Sequence, residues 1–99
     1  MLSLDFAFSA PLWKWKGGSW HFVTLPVEMS ADIRAFAAGQ ASPLGSVRVE
    51  AETGGSRWQT SLFPSTAHDG FLLPVKADIR KAEALSEGDV VEVALDVFV

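Results

Sequence analysis

Leu73-Pro74-Val75-Lys76-Ala77-Asp78-Ile79-Arg80, followed by Gly88-Asp89-Val90-Val91-Glu92-Val93, has an earlier counterpart in the same chain. There Leu25-Pro26-Val27 leads into Ala31-Asp32-Ile33-Arg34, and Gly45-Ser46-Val47-Arg48-Val49 follows. Each copy reads as an apolar strand, a proline that cannot continue a ladder, a short helix ending near an arginine, a glycine turn and a second strand. The pattern predicts a strand–helix–strand unit present twice and folded about one apolar interior.

The flanking segments supply the remaining strands. Leu2, Leu4, Phe6 and Phe8 alternate with Ser3, Asp5, Ala7 and Ser9, the period of a half-buried strand, and Pro11 stops it. Trp13 and Trp15 alternate with Lys14 and Lys16 before Gly17-Gly18-Ser19 turns the chain into a strand over 20–25. Ser30 is read as the cap of a helix running to about Ala38 and stopped by Gly39. After the loop 40–44, with Pro43, a strand over 46–53 meets a Gly54-Gly55 hairpin signal. Its partner over 57–63 is closed by Pro64, and a polar loop leads to the apolar run 71–75. A helix over 77–84 precedes the last strand, where Val91, Val93, Leu95, Val97 and Val99 share a face. Strands of this kind favour closure, because a barrel leaves no exposed edge. The expectation is one mainly β domain over 1–99, a small closed or nearly closed six-stranded Greek-key-like barrel with two short helices.

Composition narrows the function. The chain has no cysteine, which excludes disulfides, thiolate metal sites and cysteine nucleophiles. Its net charge of −4 opposes the basic footprint that phosphate contacts require. No apolar run approaches the ~20 residues of a membrane-spanning helix. The start Met1-Leu2-Ser3-Leu4-Asp5 lacks the basic, apolar pattern of a secretory signal, so the expected compartment is the cytoplasm.

No reactive constellation stands out. Arg34 and Arg80 follow Ile33 and Ile79, so they read either as a paired anion clamp or as ties within each unit. Asp89 after Gly88 reads as a turn residue accepting local backbone N–H groups. Glu50, Glu52 and Glu92 fall on strand outer faces. His21 and His68 are the only histidines, too few for a zinc site without Cys. Ser61, Ser65 and Thr66 are available as hydroxyls, with no nucleophile elbow around them. The aromatics carry more information: four Trp and seven Phe, but no Tyr, are chosen for bulk and flat faces. They serve either as plugs of the barrel or as the lining of a site.

Trp20 through Leu25-Pro26, Gly45-Ser46-Val47, Trp58 through Ser61-Leu62-Phe63-Pro64, and the terminal Leu73 to Val93 pattern together resemble the bacterial domain-of-unknown-function family nineteen-oh-five. Some members carry a further YdeI/OmpD-associated segment, which is not recognised here, so the expectation is the barrel alone. A looser similarity is to AbrB-type swapped-hairpin regulators and cradle-loop barrels. The resemblance implies a small β-barrel, and no activity, cofactor or catalytic residue comes with it.

The sequence reading is a non-enzymatic binding or regulatory module without cofactor or metal. It presents an aromatic-lined pocket or rim, drawn from Trp13, Trp20, Trp58 and Phe63 with Lys76 and Arg80, to a small ligand or protein partner. The alternative is a transcription-regulator-like barrel that binds nucleic acid, which the net charge disfavours. Neither reading involves a membrane, and monomer and homodimer both remain open.

Overall fold

A computed structural model of the chain describes residues 3–39 and 45–98. The elements are β1 (Ser3–Pro11), β2 (Trp13–Lys14), β3 (His21–Thr24), α1 (Val27–Phe36), β4 (Val47–Thr53), β5 (Ser56–Ser65), β6 (Gly70–Pro74), α2 (Ala77–Ala82) and β7 (Val90–Phe98), with a 3-10 turn at Thr66–His68. The expected loop 40–44 and the strand positions Leu2 and Val99 lie outside the described residues. Every strand pairs antiparallel, in the order β1-β7-β4-β5-β6-β3-β2.

This is a curled half-barrel of seven strands, which corrects the expected closed barrel of six. The seventh strand is Trp13–Lys14, paired with His21 and Phe22 across a turn in which Trp15 N–H donates to Trp20 O at 2.8 Å. A two-residue strand is too short for alternation alone to distinguish it from the approach to a turn. Closure fails between β1 and β2, which stand at the two edges of the sheet although only Leu12 separates them in the chain. Leu12 is buried, donates its N–H to Asp89 O and accepts from Gly88 N–H, both at 2.8 Å. The ladder towards β7 ends there, and the next residues pair with β3 instead.

The curl has a second corner in β5. Residues Ser56 to Leu62 pair with β4, whereas Phe63 to Ser65 pair with β6. The strand therefore runs two residues beyond Phe63, straight through Pro64. A proline is tolerated there because the β4 ladder has already ended at Val47↔Leu62, so no rung on that side loses its donor.

The concave face holds the core. Val47, Val49 and Ala51 of β4, and Val91, Val93, Leu95 and Val97 of β7, are buried on alternate positions as their period requires. Leu62, Leu73 and Val23 meet them, and Ile33 and Ile79 close the ends from the two helices. No helix among the described residues is long and apolar enough to cross a membrane.

Helix α1 starts earlier than the capping rule predicts. Pro26, extended at φ −54° and ψ 147°, precedes it, and its carbonyl accepts Ser30 N–H at 2.9 Å as an i→i−4 helical bond. Ser30 is thus inside the helix and buried, where its Oγ accepts the Phe71 N–H of β6 at 3.0 Å. The hydroxyl read as a cap is a tertiary bond.

Both halves follow the order strand, helix, strand, with β3 paired to β6 and β4 to β7. The helices differ. The Ala-Asp-Ile-Arg segment lies in the middle of α1 but opens α2. Helix α2 also stops at Ala82, two residues short of the expected end, because Ala84 turns left-handed at φ 54° and Leu85 N–H closes back on Arg80 O at 2.8 Å. The Glu83 carboxylate accepts the Ser56 hydroxyl at 2.6 Å, fastening this end of α2 to the β4–β5 turn.

Candidate functional site

The β5–β6 ladder stops at Phe63↔Leu72, and beyond it the strands part, β5 staying with β4 and β6 with β3. The gap between them is a cleft of about 370 Å³. Its geometry follows from one peptide. Val75 N–H donates to His21 O of β3 at 2.9 Å. Because a trans peptide points its N–H and C=O in opposite directions, the Pro74 carbonyl faces the gap. Trp58 answers it: the indole N–H donates to Pro74 O at 3.3 Å. Trp58 is buried, belongs to the core and floors the cleft at the same time.

Two cations line the cleft where the chain enters α2. Lys76 is the residue before the helix, exposed at its side chain, with its carbonyl accepting Ile79 and Arg80 N–H, both at 3.1 Å. Arg80 is half-buried and donates from Nε to Val75 O at 3.1 Å, which holds the guanidinium across the end of β6. Among the described residues the ion pairs are those of Arg57, with Glu50 at 3.7 Å and Glu52 at 3.4 Å. Neither cleft cation has a carboxylate at ion-pair distance among the described residues.

Trp20 stands at the mouth, 61% exposed, stacked on Phe22 with ring centroids 6.0 Å apart and planes 10° from parallel. It also belongs to a second aromatic cluster on the convex face. Phe22 and Leu72 are buried there outside the main core, beneath Trp13, Trp15 and Phe63. Trp15 and Phe63 are 50% and 42% exposed, so the cover is an open apolar surface continuous with the cleft mouth through Trp20.

The structure therefore brings together four of the six residues expected at the site, Trp20, Trp58, Lys76 and Arg80. Trp13 and Phe63 are elsewhere. Trp13 pairs with Phe22 across β2 and β3, stacks on His68 at 4.7 Å and donates its indole N–H to Thr24 Oγ1 at 2.9 Å. Phe63 sits where β5 leaves β4 for β6, and this turns its ring to the convex face. Gln59 and Thr60 line the cleft without having been singled out, and His21, weighed only with His68 as a possible metal ligand, lines it too. Alternation marks Gln59 and Thr60 only as strand residues, and nothing in it says that β5 and β6 separate beside them.

The other candidates have local roles. Arg34 lies over the Phe71 ring, 5.5 Å from its centroid, and shares no site with Arg80, so the two do not form a clamp. Asp89 Oδ2 accepts Ser86 N–H at 2.8 Å beside Gly88 at φ +93°, a turn contact. His68 Nδ1 is 2.9 Å from Ser65 Oγ, three residues away. His21 Nδ1 is 2.8 Å from Ser19 O. Asp5 and Asp96 face each other across β1 and β7, and Glu50 continues the row on β4. The Asp5 carboxyl is held above its ordinary value of 3.8, first by its hydrogen bond to Asp96 and then by repulsion from that carboxylate. This row shares no residue with the cleft.

The chain is thus mainly β, with a gap between diverging strands that is floored by one tryptophan, flanked by another and lined by two cations that have no acidic partner among the described residues. The model of the family described as Domain of unknown function (DUF1905) matches residues 8–95, and the chain belongs to that family. No curated protein matches it.

Proposed function

We propose that the domain is a non-catalytic binding module whose cleft takes a small ligand with a flat, apolar body. The observation that carries this reading is the pairing of Trp58 and Trp20, one buried under a cavity of about 370 Å³ and one 61% exposed at its mouth. That volume is within the range of about 300–1,000 Å³ usual for small-molecule sites. A mostly exposed indole gives up apolar surface when a flat ring covers it. The rival reading, a regulator-like barrel on nucleic acid, has Lys14 and Lys16 beside exposed aromatics in its favour. The net charge of −4 and the acidic row on β1, β7 and β4 oppose it.

The four indole N–H groups make the test direct. In proton–nitrogen correlation spectra, titration with the neutral flat probe 2-naphthamide is expected to shift the Trp20 and Trp58 indole signals together and leave Trp13 in place. Shifts of Trp15 and Trp20 without Trp58 would mean adsorption on the convex aromatic surface and would refute the cleft. Salt-sensitive retention on heparin, with no indole response to the probe, would favour the nucleic-acid reading.

A further inference from the structure

We infer that the cleft recognises an oxyanion attached to that flat body, a carboxylate or phosphate seated between Arg80 and Lys76. The inference rests on the cleft being the binding site and adds the chemical class of its ligand. Two observations carry it. The first is convergence: Lys76 and Arg80 line the same cleft as Trp20 and Trp58, with no carboxylate in that lining or at ion-pair distance among the described residues.

The second is how Arg80 is held. Its Nε donates to Val75 O at 3.1 Å, so the guanidinium is oriented before any ligand arrives, and its Nη1 and Nη2 groups have no acceptor among the described residues. A guanidinium fixed through Nε offers its end-on fork, which matches the two oxygens of a carboxylate or phosphate. The Trp58 floor beside it is buried and apolar, and a charged hydrogen bond is worth more where water is partly excluded. Lys76, with its flexible stem, supplies a second point charge.

The test compares 2-naphthoate, 2-naphthyl phosphate and the neutral 2-naphthamide, with affinities read from the Trp58 indole shift. At low salt, at least one of the two anions is expected to bind about tenfold or more tightly than the amide, as a charge-assisted bond to a half-buried guanidinium provides. The tighter of the two names the oxyanion. Lys76→Gln, a change on an exposed side chain, should reduce this preference. Arg80→Gln should reduce it further, with melting temperature measured alongside. Equal affinities for anions and amide in the native protein would overturn the inference while leaving the cleft as a site. So would a preference that survives both substitutions. Failure of all three compounds to move Trp58 would remove the cleft reading and this inference with it.

Discussion

Replacing Trp58 with alanine takes away the floor of the cleft and part of the core in one step. The side chain is 5% exposed and packs into the main core. Truncating an indole this deeply buried costs about 3–5 kcal/mol, the lost transfer energy together with the cavity left behind. Against a total of about 5–15 kcal/mol for a domain of this kind, the variant should still fold but melt far earlier. The Pro74 carbonyl adds little in the alanine variant, because the widened cleft admits water to it. In Trp58→Phe the ring still covers that carbonyl and the donor is gone, so the orphaned acceptor contributes much of an expected loss of about 1–3 kcal/mol. Urea unfolding followed by far-ultraviolet circular dichroism reads both losses without depending on tryptophan emission. A loss below about 1 kcal/mol for the alanine variant, at an unchanged denaturant slope, would show that Trp58 is not part of the core that stabilises the fold.

Three further outcomes are expected. Gly70 lies against Ser30: a Cβ there would overlap Ser30 Oγ and stand 2.9 Å from its Cβ, so Gly70→Ala should cost about 1–3 kcal/mol. Most of that cost should vanish when the substitution is made beside Ser30→Gly, and a double-mutant cycle showing no coupling would refute the contact. Ala84 is left-handed at φ 54°, which costs an L-residue about 1–2 kcal/mol; after the greater unfolded freedom of glycine, Ala84→Gly should gain about 0.5–1 kcal/mol in chemical denaturation. For Asp5 the raised folded value means that the native state holds its proton more tightly, so stability falls as pH climbs from 3.8 through that value. Asp5→Asn should therefore match the native protein in melting temperature below pH 3.8 and exceed it at pH 7; equal melting at both would remove the Asp96 repulsion from the account.

Much of the strand layout is written in local pattern. The alternation of Val91, Val93, Leu95 and Val97 puts one face of β7 in the core, and Gly54-Gly55 marks the β4–β5 turn. The unbroken apolar run at 71–75 is buried throughout, as a strand covered on both faces should be. Of the six aromatic and cationic residues read from the sequence, Trp20, Trp58, Lys76 and Arg80 line one cleft, while Trp13 and Phe63 do not. Ser30 shows where such reading ends: a hydroxyl before a helical period looks like a cap, and only the position of Phe71, far along the chain, shows that it is spent on β6. Pro64 is the same lesson for strands, because whether a missing N–H matters depends on which neighbour lies on that side.

By itself, then, the amino-acid order determined which of the longer segments are strands, which faces are apolar, where the main turns fall and which side chains are available for recognition. These depend on spacing within a few residues, where pleat, helix pitch and turn chemistry act. Only tertiary structure decided that the sheet stays open between β1 and β2, that β5 changes partners at Phe63, and that the resulting gap collects two indoles and two unmatched cations. The physical reason is that backbone hydrogen bonds between strands carry no side-chain signature, so the place where one ladder ends and another begins is set by the pairing of distant segments.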